Sequence, residues 1–159
     1  MADTPKQEIE EALAAYEQAI RLDPNDADAY YGKGNALSDL KRYEEALVAY
    51  EQAIRLDPNF ALAYNNKGNA LYALKRHEEA LAAYEQTIRL DPDDADYYYN
   101  KGNTLSDLKR YEEALAAYEQ AIRLDPNYTY AYYGKGFVLN ELKRYKEAEQ
   151  AFEKARQLE

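Results

Sequence analysis

The 159-residue chain has no cysteine and no tryptophan, and only one methionine and one histidine. Without cysteine there is no disulfide framework, no thiolate metal site and no thiol nucleophile. A single histidine, His77, rules out a histidine-rich metal cluster and leaves few acid–base pairs. No metal and no cofactor is expected. Long apolar runs are missing too. None approaches the roughly 18 consecutive residues of a membrane span, and Met1-Ala2-Asp3-Thr4-Pro5 has no signal-peptide core. Positive charge is scarce: 20 Lys and Arg stand against 30 Asp and Glu, a net charge of −10. That balance disfavours phosphate backbones and anionic lipid alike. The expectation is a cytoplasmic chain with no nucleic-acid and no membrane partner. What abounds is apolar residues, at 47%, and tyrosine, with 18 copies. A packed, ordered protein follows.

The chain repeats itself every 34 residues. Tyr-Glu-Glu-Ala-Leu begins at Tyr43 and returns at Tyr111, with His77-Glu78-Glu79-Ala80-Leu81 midway and Tyr145-Lys146-Glu147-Ala148 after. Framed from Ala27, the units are 27–60, 61–94, 95–128 and 129–159, and 1–26 matches only the second half of one. The first and third units differ at Ala29/Tyr97, Gly32/Asn100, Ala36/Thr104, Val48/Ala116 and Phe60/Tyr128, so 29 of 34 places agree.

Each unit reads as two helices. In 27–60 the first runs from about Ala29 to Leu40, Lys41-Arg42 turns the chain, and the second runs from about Tyr43 to Leu56. Ala46, Leu47, Tyr50, Ala53, Ile54 and Leu56 share one broad helical face, and Asp57-Pro58-Asn59 stops the helix. Glu44 and Glu45 suit its positive N-terminal end, and Glu51 and Arg55 form an i,i+4 pair. Gly34, Gly68, Gly102 and Gly136 recur inside the first helix, where glycine costs about 1 kcal/mol against alanine. A close helix crossing, with Ala46, Ala80, Ala114 and Ala148 opposite, would explain them.

This pattern resembles the tetratricopeptide repeat (TPR) family over essentially the whole chain. The residues that carry the resemblance in 27–60 are Tyr30, Gly34, Leu37, Ala46, Tyr50, Ala53 and Pro58. Tyrosine takes the family's tryptophan place at Tyr30, Tyr64, Tyr98 and Tyr132, and lysine takes a common leucine place at Lys33, Lys67, Lys101 and Lys135. The resemblance implies an all-α solenoid, a right-handed superhelix of antiparallel helix pairs in a single domain over 1–159. It also implies a non-catalytic protein-interaction scaffold that binds peptides or proteins in a groove lined by first helices.

The ends differ. The last second helix carries Glu149 and Arg156 where others carry Leu47 and Ile54, as a polar end cap would. At the other end Thr4-Pro5-Lys6-Gln7 supplies an N-cap, a first-turn proline and a capping-box glutamine. The helix they start has no partner first helix, so Leu13, Tyr16 and Ile20 offer a surface for weak self-association. An engineered or excised piece of a longer array would leave the same surface. Segment 1–26 carries −5 and 129–159 carries +1, which favours head-to-tail contacts.

Catalytic signals are weak. His77 replaces a tyrosine at an interhelix turn and has no visible catalytic partners. Gly32-Lys33-Gly34 lacks the spacing of a phosphate loop. Asp91-Pro92-Asp93-Asp94-Ala95-Asp96 lacks the glycine of a calcium loop, and Asn127-Tyr128-Thr129 is a glycosylation sequon without a secretion signal. No enzyme is expected.

Binding has better material. Places 2, 5, 6, 9, 12 and 13 line one side of the first helix and vary most between units. By family resemblance they face the groove. The candidates are Tyr31 and Asn35 in the first unit, and Asn65, Asn66, Asn69 and Tyr72 in the second. The third offers Tyr99, Asn100 and Asn103, and the fourth Tyr130, Tyr133 and Phe137. Asparagine amides pair with peptide backbone, and tyrosines give contact area at low entropy cost. The family's carboxylate clamp is matched only in its asparagines. Asp28, Asp39, Asp96, Asp107 and Glu141 would repel an acidic tail, so a neutral or basic segment is the expected partner.

Overall fold

The computed structural model describes residues 5–159. The described residues form nine α-helices and no strands: α1 (Pro5–Leu22), α2 (Ala27–Asp39), α3 (Tyr43–Leu56), α4 (Ala61–Ala73), α5 (His77–Leu90), α6 (Ala95–Asp107), α7 (Tyr111–Leu124), α8 (Thr129–Glu141) and α9 (Tyr145–Gln157). None of these helices is long and apolar enough to cross a membrane. Packing groups the helices into two compact units, the first ending at Arg76 and the second beginning at His77. In the first, each of α1 to α4 packs on its sequence neighbour, and α2 also touches α4. In the second, α5 to α9 do the same, and α6 also touches α8.

The punctuation is local chemistry. The cap residue Asp26 accepts a hydrogen bond from the Ala29 amide at 3.0 Å, so α2 starts two residues before the expected Ala29. Asp57 closes α3 and its carboxylate accepts the Asn59 amide at 3.0 Å, a turn repeated at Asp23–Asn25 and Asp125–Asn127. First helices end with a lysine in the left-handed region: Lys41 has φ 58°, Lys75 62°, Lys109 58° and Lys143 61°. Behind Lys41, the Arg42 amide reaches back to the Leu37 carbonyl at 2.8 Å, the long-range bond of a left-handed helix stop. Pro5 opens α1; the expected Thr4 cap lies outside the described residues.

The core of each unit is mainly alanine and leucine, with buried tyrosines among them. In the first unit Leu37, Ala46, Tyr50, Ala53, Ala63 and Leu71 are buried; in the second, Leu105, Ala114, Tyr118, Val138 and Leu139 belong to one cluster, and Tyr84 and Tyr97 are buried too. Gly34, Gly102 and Gly136 each meet an aromatic ring of the following helix, where alanine is the expected opposite number. A Cβ on Gly102 would stand 2.7 Å from Tyr118 Cε1, and one on Gly136 would stand 2.6 Å from Phe152 Cε1. The aromatic plates take the space that a side chain would need, which explains glycine in mid-helix despite its propensity.

Charges tie neighbouring helices. Each first-helix lysine reaches the second helix before it: Lys33–Glu17 at 3.2 Å, Lys67–Glu51 at 3.0 Å, Lys101–Glu85 at 3.2 Å and Lys135–Glu119 at 3.0 Å. These pairs account for lysine at a place where the family often has leucine. Glu51 therefore serves Lys67 across the helix boundary rather than Arg55 on its own helix. Glu149 and Arg156 are exposed on α9 and pair at 3.4 Å.

Candidate functional site

In the first unit the variable places of α2 and α4 come together as a hydrogen-bonded net. Tyr50 Oη donates to Asn35 Oδ1 at 2.9 Å, and Asn66 Nδ2 donates to the same oxygen at 2.8 Å and to Tyr31 Oη at 3.1 Å. Asn65 Nδ2 donates to Asn66 Oδ1 at 3.2 Å. Asn35 and Asn66 thus spend much of their capacity on holding Tyr50 and each other. Burial pushes the Tyr50 hydroxyl above the ordinary tyrosine range. Tyr31 is half-buried, its ring centroid 6.2 Å from that of Tyr50 and 4.8 Å from that of Phe60. Asn69 is exposed, Tyr72 is half-buried, and Leu62 projects from the first turn of α4.

The second unit uses the same register. Tyr118 Oη donates to Asn103 Oδ1 at 2.7 Å, and Tyr99 lies 6.1 Å from Tyr118, 5.1 Å from Tyr128 and 6.4 Å from Tyr130. Asn100 is half-buried and its carbonyl accepts the Thr104 hydroxyl at 2.8 Å. Tyr128 Oη donates to Asp96 Oδ1. Burial, and then that bond, push the Tyr128 hydroxyl above its ordinary range. Tyr133 donates to Glu159 Oε1 at 2.6 Å and packs on Phe152 with centroids 6.3 Å apart. Its pKa is raised chiefly by the bond to Glu159. Of the expected stripe on α8, then, Tyr130 and Phe137 stand out, 66% and 50% exposed, while Tyr133 is half-buried between them.

At the other face of the first unit, Leu13 is buried, Ile20 is half-buried and Tyr16 is 37% exposed, whereas Tyr50, the matching ring 34 residues on, is 1% exposed. Tyr16 lies on Gly32 beside a hollow of about 250 Å³ lined by Ile9, Ala12 and Ala36.

Two features were not anticipated from sequence. Tyr97, third in its repeat, is buried, as are Ala29, Ala63 and Ala131 at the same place in theirs. A cleft of about 510 Å³ lined by Tyr30, Lys33, Arg42, Glu45 and Val48 contains none of the expected groove residues. Val48 is 68% exposed there, at a place where the next two repeats have Ala82 and Ala116; that single change was the available signal. Among the described residues, no group of three or more His, Cys, Asp or Glu is placed to hold a metal ion.

Known proteins share both the repeat and the fold. Tetratricopeptide repeat models match residues 27–60 and 95–128, and 49–82 and 117–150; a TPR repeat model matches 3–41 and 68–109. A crystal structure of MamA superposes with TM-score 0.91 at 24% identity, over 99% of this chain and 96% of that one. MamA from Desulfovibrio magneticus RS-1 gives 0.90 at 29%, over 94% and 85%. YrrB, described as a TPR protein with an unusual peptide-binding site, gives 0.84 at 28%, over 96% and 78%. Among curated protein sequences nothing matches.

Proposed function

Because the chain belongs to the tetratricopeptide repeat family, we propose that it is a non-catalytic scaffold that holds a peptide or protein segment against its first-helix faces. The observation that carries this reading is the exposure of Tyr130 and Phe137. They are seven residues apart on α8, about 10 Å along the axis. Large apolar side chains left in water on one helix face, within reach of polar groups, are the usual anchors of a partner. The peptide-binding description of YrrB supports the same reading. Asp28, Asp39, Asp96 and Glu141 are exposed around these faces, so the segment is neutral or basic. A cytoplasmic location is part of the proposal.

The test is a titration of fluorescent Lys-rich and Glu-rich peptides with apolar anchors against the wild type and a Tyr130→Ala/Tyr133→Ala/Phe137→Ala variant. Preferential binding of the Lys-rich set, lost in the variant, supports the proposal. Preference for the Glu-rich set contradicts it.

A second reading is self-association through α1, favoured by the contrast between Tyr16 and Tyr50. With Leu13 buried, Tyr16 would carry that contact, with Ile20 at its edge. Sedimentation velocity across concentration decides: a monomer at millimolar protein, or association unchanged by Tyr16→Ala, removes this reading.

A further inference from the structure

The first helices begin in two different ways. Helices α2 and α6 are capped by Asp26 and Asp94, each accepting a backbone amide, at 3.0 and 2.8 Å. At the same place Phe60 stands before α4 and Tyr128 before α8, neither with a side-chain cap bond. Giving up a cap costs about 1 kcal/mol. A residue that violates local propensity without a local gain is where function is to be sought.

What Tyr128 does instead is build a wall. Its ring lies 5.1 Å from Tyr99 and its hydroxyl is bonded to Asp96 Oδ1. Tyr130 adds a second ring 6.4 Å from Tyr99 and remains 66% exposed. The Asp96 carboxylate stays open to solvent beside these rings. The surroundings are one-signed. Asp91, Asp93, Asp94 and Asp96 fall within six residues, with no Lys or Arg between Arg89 and Lys101, nor between Arg123 and Lys135. Each helix N-terminus contributes about half a positive charge, well short of four carboxylates.

The geometry points to Tyr99, Tyr128, Tyr130 and Asp96 as a receptor for one arginine side chain of the bound segment. A guanidinium lies flat on an aromatic face and donates from its edge to a carboxylate. The cluster offers both, with the Tyr128 hydroxyl holding the carboxylate in place. This inference rests on the first-helix binding reading and names the chemistry of one of its subsites.

The chain carries its own control. In the first unit the same register holds Tyr31, Phe60, Leu62 and Asp28, with Tyr31 4.8 Å from Phe60. Phe60 has no hydroxyl to brace the acid, and Leu62, 48% exposed, has no π face. That cluster suits an uncharged side chain.

The test uses blocked single amino acids, so no partner need be known. Protein labelled on tyrosine and phenylalanine is titrated with N-acetyl-arginine amide, and with the citrulline and lysine analogues, by NMR. The arginine probe should shift the Tyr99, Tyr128 and Tyr130 ring signals with an affinity about ten-fold above citrulline. The preference should vanish in Asp96→Asn and in Tyr130→Leu, and appear at Tyr31 in a Phe60→Tyr/Leu62→Tyr variant. Equal shifts by arginine and citrulline, or an arginine preference that survives Asp96→Asn, overturn the inference. So does a lysine preference, which would mean a point-charge site rather than a stacking one. If these rings stay silent while apolar peptides still shift Phe137, the wider binding reading stands alone. If neither responds, both fall.

Discussion

Alanine in place of Gly102 should destabilise the protein, against the ordinary rule for helices. In a solvent-exposed helix interior, glycine to alanine gains about 1 kcal/mol. Here the new Cβ would lie 2.7, 2.8 and 3.0 Å from three ring atoms of Tyr118, a side chain only 2% exposed. Relief by moving the ring is blocked on the far side. A Cβ on Gly134 would stand 2.6 Å from the same ring, so Tyr118 is clamped between α6 and α8. Overpacking of this kind costs about 1–3 kcal/mol. Any tilt of the ring also stretches the 2.7 Å bond from Tyr118 Oη to Asn103, worth about 1 kcal/mol. Set against the propensity gain, the net loss is about 1–3 kcal/mol. At this chain length that is a fall in Tm of roughly 2–4 °C per kcal/mol. Urea denaturation of Gly102→Ala, Tyr118→Ala and the double variant reads the coupling directly. With the ring gone, the alanine should become neutral or stabilising. A Gly102→Ala protein as stable as the wild type would refute the clamp.

Other expectations follow from the same structure. Lys109 sits at φ 58°, so Lys109→Gly should raise stability by about 0.5–1 kcal/mol in the same denaturation assay. Asn35→Ala should cost about 1–3 kcal/mol, because the Tyr50 hydroxyl and the Asn66 amide lose their shared acceptor; hydrogen exchange should show the loss centred on α2 and α3. The Tyr50 pKa is raised in the folded state, so its contribution is whole below the ordinary tyrosine pKa of about 10 and drains away above it. Stability should fall by up to about 1.4 kcal/mol per pH unit for this group. Alkaline unfolding followed by tyrosinate absorbance should therefore move to higher pH in Tyr50→Phe.

Much of the architecture was legible because the repeat reports it many times over. The second helix, Tyr43–Leu56, is bounded by a turn and by Asp57-Pro58, and both signals are local. What sequence could not supply was pairing across helices. Gly34 and Ala46 looked like opposite numbers because both are small, yet the ring of Tyr50 fills the space at Gly34. Glu51 had a helical partner at Arg55, yet Lys67 from the next helix takes it. Both outcomes depend on how one helix is rotated against its neighbour, which a 34-residue period does not encode. The candidate site shows the same limit. The variable places of the first helices do come together within each unit, but Asn35, Asn66 and Asn103 are partly occupied by tyrosine hydroxyls and by one another. An amide facing a ligand and an amide bracing a core tyrosine look alike in sequence. Side-chain exposure separates them and moves the weight to Leu62, Tyr130 and Phe137.

The central claim is that the exposed face of α8 is a docking surface. The most direct measurement is the affinity of an arginine-containing peptide with one aromatic anchor, by fluorescence anisotropy, for the wild type and for Tyr130→Ala/Phe137→Ala. Both replaced residues are half or more exposed, so the variant should keep the wild-type fold by circular dichroism and lose at least ten-fold in affinity. Unchanged affinity in a folded variant would contradict the claim.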